Sequence, residues 1–132
     1  AQSPIRVSTA WVYGQFSQRH TAGAQHNAAM RQAIGQRDFP AVAANLFNAL
    51  ESVTEPAHPQ ITAIKQAMRD AGASGVLMSG SGPTVFALTP DRLAAEQLAA
   101  RLSLGPGVTI LTAETVAREE QMNVPSIITG QA

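Results

Sequence analysis

The chain has 132 residues, of which 45% are hydrophobic, and nine basic residues balance nine acidic ones. This balance argues against a surface for nucleic acid or anionic membrane, because either requires clustered positive charge. The lack of cysteine excludes disulfides, thiolate catalysis and cysteine-ligated zinc. The length fits one compact domain. The first residue is Ala1 and not methionine, and an apolar segment follows almost at once. This start indicates a processed product, a piece of a longer chain or a trimmed methionine.

Five helices are predicted from apolar residues at helical spacing and from the residues that flank them. They cover residues 10–13, 25–35, 38–53, 59–70 and 91–102. A hydroxyl at Ser8 or Thr9 can cap the first helix, Asp38 can cap the third, and Thr89 or Asp91 can cap the last. The prolines of Glu55–Pro59 predict a break between the third and fourth helices, because the residue before a proline disfavours the helical conformation.

Strand patterns occur near both ends of the chain and around a glycine-rich loop. Ile5 and Val7 alternate with polar residues over 4–8, and residues 75–78, 84–88 and 108–111 form short apolar runs. The order is strand, helices, hairpin, helix, strand. It predicts an α+β fold, an elaborated ferredoxin-like split β-α-β whose antiparallel sheet is covered by helices. Beyond residue 113 only the apolar pair at 127–128 suggests a further edge strand.

The loop Ser79-Gly80-Ser81-Gly82-Pro83-Thr84 joins the two central apolar runs. In one interpretation its glycines only serve a tight hairpin turn. In the other, the backbone N–H groups of Gly80, Ser81, Gly82 and Thr84 form a concavity that attracts an anion. The spacing of the glycines alone favours the interpretation as a hairpin turn.

Trp11 and Tyr13 are two of only six aromatic residues, and they directly follow the first predicted strand. Both can be packing residues. A ring at a strand-to-helix junction can instead stack on a flat ligand such as a nucleobase, with Thr9 supplying a hydrogen bond nearby.

No nucleophile–base pair is recognisable among the titratable residues. The three histidines, at positions 20, 26 and 58, fall in or beside loops and are predicted to be solvated, because a metal site or relay needs partners at set spacing. Glu51 is predicted to face solvent from a helix, and Glu119-Glu120 to be an exposed pair. The chain has no P-loop pattern with its lysine.

Four segments together resemble motifs of the GHMP small-molecule kinases. The segment Gly72–Leu88 resembles their third signature motif, and Val7–Tyr13 resembles a strand-to-helix segment of the form V-S-T-A-x-x-F/Y. Residues 48–54 (N-A-L-E-S-V-T) and 58–65 (H-P-Q-I-T-A-I-K) resemble two helix motifs. Ala49 departs from the aspartate of many members, so no role is carried over for that carboxylate.

The resemblance covers roughly residues 4–112 and implies that part of the kinase precedes this chain. Residues 1–112 would form the C-terminal, substrate-side domain, and 113–132 an extension of unknown role. Family members carry a catalytic lysine, a catalytic aspartate and an ATP loop in an N-terminal domain, and none of these matches here. Lys65 corresponds to an ordinary helix lysine, so no catalytic residue and no metal ligand is expected in this chain.

The resemblance also implies roles for individual residues. Tyr13 occupies the aromatic position that stacks on the cytosine of the substrate, and Thr9 lines the same pocket. Gly80, Ser81 and Gly82, followed by Thr84, form the loop that faces the site of phosphate transfer.

Within the superfamily the motifs are most similar to those of the kinases of the non-mevalonate isoprenoid pathway that act on 4-diphosphocytidyl-2-C-methyl-D-erythritol. This similarity implies a cytoplasmic parent enzyme that uses ATP and Mg²⁺ to phosphorylate the 2-hydroxyl of this cytidine diphosphate substrate. The chain alone would be inactive. The alternatives are another GHMP kinase, of the homoserine or mevalonate type, a non-catalytic ferredoxin-like ligand-binding module, or a dimerisation domain with a vestigial loop.

Overall fold

The computed structural model describes residues 1–16 and 24–116, except for the side chains of 24–26. The elements in chain order are α1 (Thr9–Phe16), α2 (Ala24–Gly35), α3 (Phe39–Ala44), α4 (Glu51–Ala57), α5 (Pro59–Asp70), β1 (Gly75–Met78), β2 (Val85–Leu88) and α6 (Arg92–Arg101). The expectations for His20, for the side chain of His26, for Glu119-Glu120 and for the pair at 127–128 lie outside the described residues.

Two predicted helix starts are confirmed by the hydrogen bonds of their caps. Asp38 accepts from the backbone N–H of Ala41 at 3.0 Å, and Asp91 accepts from that of Ala94 at 2.8 Å. Each carboxylate satisfies one N–H that has no partner within the helix, which stabilises a helix by about 1 kcal/mol.

The single long helix predicted over 38–53 is wrong, because α3 ends at Ala44 and α4 begins at Glu51. The side chain of Asn45 donates to the carbonyl of Ala41 at 2.8 Å, and that of Asn48 accepts from the N–H of Leu50 at 3.0 Å. Such side-chain bonds offer the backbone an alternative to helical hydrogen bonds. The break predicted within Glu55–Pro59 is confirmed at His58, between α4 and α5.

The antiparallel hairpin of β1 and β2 is confirmed, with Met78 opposite Val85. Val85 also exchanges backbone hydrogen bonds with Ala1, at 3.0 and 2.6 Å. Gln2 in turn pairs antiparallel with Thr109. The backbone order is therefore β1, β2, residues 1–2 and Thr109, all antiparallel, which is the order of a ferredoxin-like sheet.

The strand predicted over 4–8 is wrong, and of the strand predicted over 108–111 only Thr109 pairs, in the bridge to Gln2. Pro4 has no N–H to donate to a ladder, so the pairing ends after Gln2. Burial still alternates along both segments, with Ile5, Val7 and Val108 turned partly inward. The alternation therefore correctly predicts which side chains turn inward, but not a strand at residues 4–8.

The core lies between the helices and one face of the hairpin. Its buried members are Val12, Leu50, Val53, Ile61, Ile64, Met68, Val76, Met78 and Val85. The apolar face predicted for α5, with Ile61, Ile64 and Met68, is confirmed. Burying a side chain of this size contributes about 1.5–3 kcal/mol, so these contacts hold α1, α4 and α5 in place around the hairpin.

Candidate functional site

The glycine loop, residues 79–84, is closed by two backbone hydrogen bonds. Ser79 donates to the carbonyl of Thr84 at 2.8 Å, and Gly82 donates to the carbonyl of Ser79 at 2.9 Å. Gly80 and Gly82 have φ angles of 55° and 87°, a region that side chains with a Cβ atom rarely adopt. The Gly82–Pro83 peptide bond is cis. The hairpin interpretation therefore correctly describes the shape of this loop.

The two glycines differ in their surroundings. A Cβ atom on Gly82 would lie 2.8 Å from the sulfur of Met78 and 3.4 Å from Cγ2 of Thr54. A Cβ atom on Gly80 would meet nothing within 4 Å. Gly82 is thus required by packing as well as by conformation, whereas Gly80 is required by conformation alone.

The backbone N–H groups of the loop are partly free. Within the described part of the chain, no group accepts a hydrogen bond from the N–H of Gly80, Ser81 or Thr84. The N–H of Gly82 is engaged by Ser79, so the expectation that it is available to a ligand is wrong. Consecutive free N–H groups in such a turn attract anions.

Helix α1 brings a hydroxyl to this loop. The side-chain oxygens of Thr9 and Ser81 lie 2.9 Å apart, and either can be the donor. Tyr13 follows Thr9 by four residues on the same helix, which places both on one face. Tyr13 is 56% exposed, while its chain neighbour Val12 is fully buried. The structure therefore brings the hydroxyl of Thr9 into hydrogen-bond contact with Ser81 of the glycine loop, two residues that were singled out separately in the sequence.

The loop is supported from below by residues 48–54, which we call the support segment. Asn48 donates through Nδ2 to the carbonyls of Met78 and Gly80, each at 2.8 Å. Thr54, fully buried, donates to the carbonyl of Ser81 at 3.2 Å. Sequence reasoning singled out this segment only as a motif and missed these contacts, because its partners are 27 to 32 residues away in the chain.

Glu51 completes the support by accepting from the N–H of Met78 at 2.8 Å. The same carboxylate oxygen lies 2.5 Å from Nζ of Lys65, which also contacts Glu55. Lys65 is only 5% exposed. The expectation that Glu51 faces solvent is therefore wrong. A signal existed in the sequence, because Lys65 lies on the apolar face of α5 and a buried ammonium requires carboxylate partners.

Neither a metal site nor a membrane span is found in residues 1–16 and 24–116. No group of three or more His, Asp or Glu side chains is placed to hold a metal ion there. None of the helices described has the length and apolar character needed to cross a bilayer.

Comparison with known proteins assigns a family. Residues 30–106, more than half of the chain, match the family described as GHMP kinases C terminal. The 4-diphosphocytidyl-2-C-methyl-D-erythritol kinase of Exiguobacterium sibiricum is 50% identical over 98 residues, which are 74% of this chain and 34% of the relative. The kinase of the same name from Gloeobacter violaceus is 36% identical over 115 residues, which are 84% of this chain and 38% of the relative.

A solved structure has the same fold. The homoserine kinase of Cytophaga hutchinsonii aligns with a TM-score of 0.57 at 23% identity, over 74% of this chain and 33% of that one. At this identity the likeness concerns the fold alone, and it agrees with the α+β architecture. The chain spans about a third of the length of the curated relatives that it matches. With residues 30–106 matching over both the support segment and the glycine loop, the chain belongs to the GHMP kinases and carries their C-terminal domain.

Proposed function

We propose that this chain is the substrate-side part of a kinase that transfers the γ-phosphoryl group of ATP to the 2-hydroxyl of 4-diphosphocytidyl-2-C-methyl-D-erythritol. The observation that carries the proposal is the contact between Thr9 and Ser81, at 2.9 Å, beside the free N–H groups of Gly80 and Ser81. Relatives that are up to 50% identical to this chain over the aligned residues bear the name of this kinase. The cytoplasmic location is part of the same proposal.

The roles of the chain's own residues follow from their chemistry. The N–H groups of Gly80 and Ser81, and that of Thr84, can donate to phosphoryl oxygens as negative charge develops on them. The exposed ring of Tyr13 can stack on the cytosine, and Thr9 lies between that ring and the loop. Phosphoryl transfer depends mainly on positioning and charge stabilisation, and these residues supply positioning.

The remaining chemistry is assigned to the part of the kinase that precedes this chain. Among the described residues no three His, Asp or Glu side chains are grouped to hold a metal ion, and Lys65 occupies the carboxylates of Glu51 and Glu55. We therefore assign no metal ligand to this chain. We expect the catalytic lysine and aspartate, and the loop that binds ATP, to lie in the preceding domain. The 132-residue chain alone is therefore expected to have no kinase activity.

The test is a phosphorylation assay of the full-length parent protein with the cytidine diphosphate substrate, homoserine and mevalonate offered separately. We expect turnover of the cytidine substrate only. Thr9→Val and Ser81→Ala should each lower kcat/KM about tenfold, as expected for losing one polar contact to the site. Ser74→Ala, an exposed serine just before β1, is the control and should leave the rate unchanged.

Two outcomes would overturn the proposal. Turnover of homoserine or mevalonate in place of the cytidine substrate would assign the chain to another GHMP kinase. Phosphorylation by the 132-residue chain alone, at a rate comparable to the full-length protein, would contradict the assignment of catalysis to a preceding domain.

A further inference from the structure

We infer that Asn48 is a positioning residue of the kinase, because its side-chain amide selects the orientation in which the N–H of Ser81 is presented to a phosphoryl group. The inference rests on the proposed function for its consequence in catalysis. Its structural part, the control of one peptide group by one side chain, can be tested without that function.

The peptide between Gly80 and Ser81 is trans, so the carbonyl of Gly80 and the N–H of Ser81 point in opposite directions. Nδ2 of Asn48 holds that carbonyl at 2.8 Å. The N–H of Ser81 is therefore directed away from Asn48, and none of the described residues accepts from it.

The orientation of the Asn48 amide is itself determined. Its oxygen accepts from the N–H of Leu50 at 3.0 Å, while its nitrogen donates to the carbonyls of Met78 and Gly80. All three bonds are consistent with one placement of oxygen and nitrogen, because a side-chain amide nitrogen has two donors and no acceptor. A carboxylate at this position would lose both donors and would face two carbonyl oxygens.

Within the described residues, no other hydrogen bond holds the carbonyl of Gly80 or the N–H of Ser81. Gly80 has a φ of 55°, and a Cβ atom there would meet nothing within 4 Å, so no neighbouring atom packs against this glycine on that side. The neighbouring groups have other supports: Thr54 holds the carbonyl of Ser81, and Glu51 holds the N–H of Met78. Removing the Asn48 amide should therefore release the 80–81 peptide while the rest of the loop stays in place.

The first experiment uses the 132-residue chain and follows its backbone amides by ¹⁵N–¹H NMR. Asn48→Ala and Asn48→Asp should shift or broaden the Ser81 resonance and leave those of α5 unchanged. Asn45→Ala is the matched control, because Asn45 also donates to a backbone carbonyl at 2.8 Å, but within α3. A Ser81 resonance that is unchanged in both Asn48 variants, or that moves equally in Asn45→Ala, would overturn the inference.

The second experiment measures the kinetics of the full-length kinase. Asn48→Ala should lower kcat about 10- to 100-fold, somewhat less than the loss of an oxyanion donor, because the N–H is misdirected and not removed. The KM for the cytidine substrate should change less than twofold, and Asn45→Ala should leave both constants unchanged. A role in stability alone would lower the melting temperature of the Asn48 variant without this separation of kcat from KM.

The two experiments separate the failure of this inference from that of the proposed function. If the wild-type full-length protein does not phosphorylate the cytidine substrate, the proposed function fails, and the NMR result still decides whether Asn48 orients the Ser81 amide. If the wild type is active and Asn48→Ala retains its kcat, the proposed function stands and the inference on Asn48 is wrong.

Discussion

Tyr13 exposes 56% of its side chain one helical turn from the hydroxyl of Thr9, a position that packing does not require. Stacking of a base on an aromatic ring contributes about 1–3 kcal/mol. We therefore expect Tyr13→Ala to raise the KM of the full-length kinase for its cytidine substrate about 10- to 100-fold, whereas Tyr13→Phe retains the ring and should change it little. A larger effect from Trp11→Ala than from Tyr13→Ala in the same assay would move the stacking role to Trp11.

Gly80 and Gly82 form a matched pair, because both have positive φ angles but only Gly82 lies against the core. We expect Gly80→Ala to lower the free energy of unfolding by about 1–2 kcal/mol, the cost of a left-handed conformation. Gly82→Ala should lower it by about 3 kcal/mol or more, because the added methyl group also overlaps Met78 and overpacks the core. Urea unfolding of the two variants measures both values, and equal losses would contradict the packing argument.

At the scale of elements, Lys65 joins α5 to α4 through two carboxylates. Lys65→Met would leave Glu51 and Glu55 close together without a counter-charge, and we expect a loss of about 3 kcal/mol in the free energy of unfolding. Arg69→Met is the control, because Arg69 is exposed one turn later on α5, and the change should cost less than about 0.5 kcal/mol.

A second variant tests whether the charges cause the loss. Adding Glu51→Gln to Lys65→Met should recover part of it, because the glutamine oxygen can still accept from Met78 while the repulsion between carboxylates is removed. If the double variant is no more stable than Lys65→Met, the loss comes from packing of the lysine stem and not from unpaired charge.

The division between α3 and α4 shows where sequence reasoning stops. Helical spacing of apolar residues is continuous from Val42 to Val53, so periodicity predicted one helix. The break coincides with local side-chain bonds of Asn45 to Ala41 and of Asn48 to Leu50. Asn48 also binds the carbonyls of Met78 and Gly80, on a hairpin far along the chain. Caps, the hairpin and the face of α5 follow from local rules and could be predicted, whereas these distant partners of Asn48 could not.

The candidate site was predictable to a similar extent. The motifs drew attention to Thr9, Tyr13 and the glycine loop, and the structure brings Thr9 to Ser81. The availability of each loop N–H could not be read from the sequence, because it depends on which carbonyl each group meets. Gly82 is the example, since its N–H closes the turn on Ser79.

At the scale of the whole molecule, Gln2 connects the hairpin side of the sheet to the last described segment. Its backbone exchanges hydrogen bonds with Thr109, at 2.8 and 2.9 Å, next to the pair formed by Ala1 and Val85. Gln2→Pro removes the donor of this bridge and should lower the free energy of unfolding by about 2 kcal/mol. Gln2→Ala keeps the backbone N–H and should be nearly neutral. Equal urea midpoints for the two variants would show that the bridge contributes nothing.

The contact between Gly82 and Met78 has a consequence for how this domain can change over generations. The glycine loop is also a wall of the core, because a Cβ atom on Gly82 would lie 2.8 Å from the sulfur of Met78. A larger side chain at position 78 would push directly on the loop, and a smaller one would leave it unsupported. If the loop binds a phosphoryl group as we propose, sequence changes in the core and changes in ligand binding are not independent here. Thr54 is a position for a compensating change, because its hydroxyl donates to the carbonyl of Ser81 and its Cγ2 would lie 3.4 Å from a Cβ atom on Gly82.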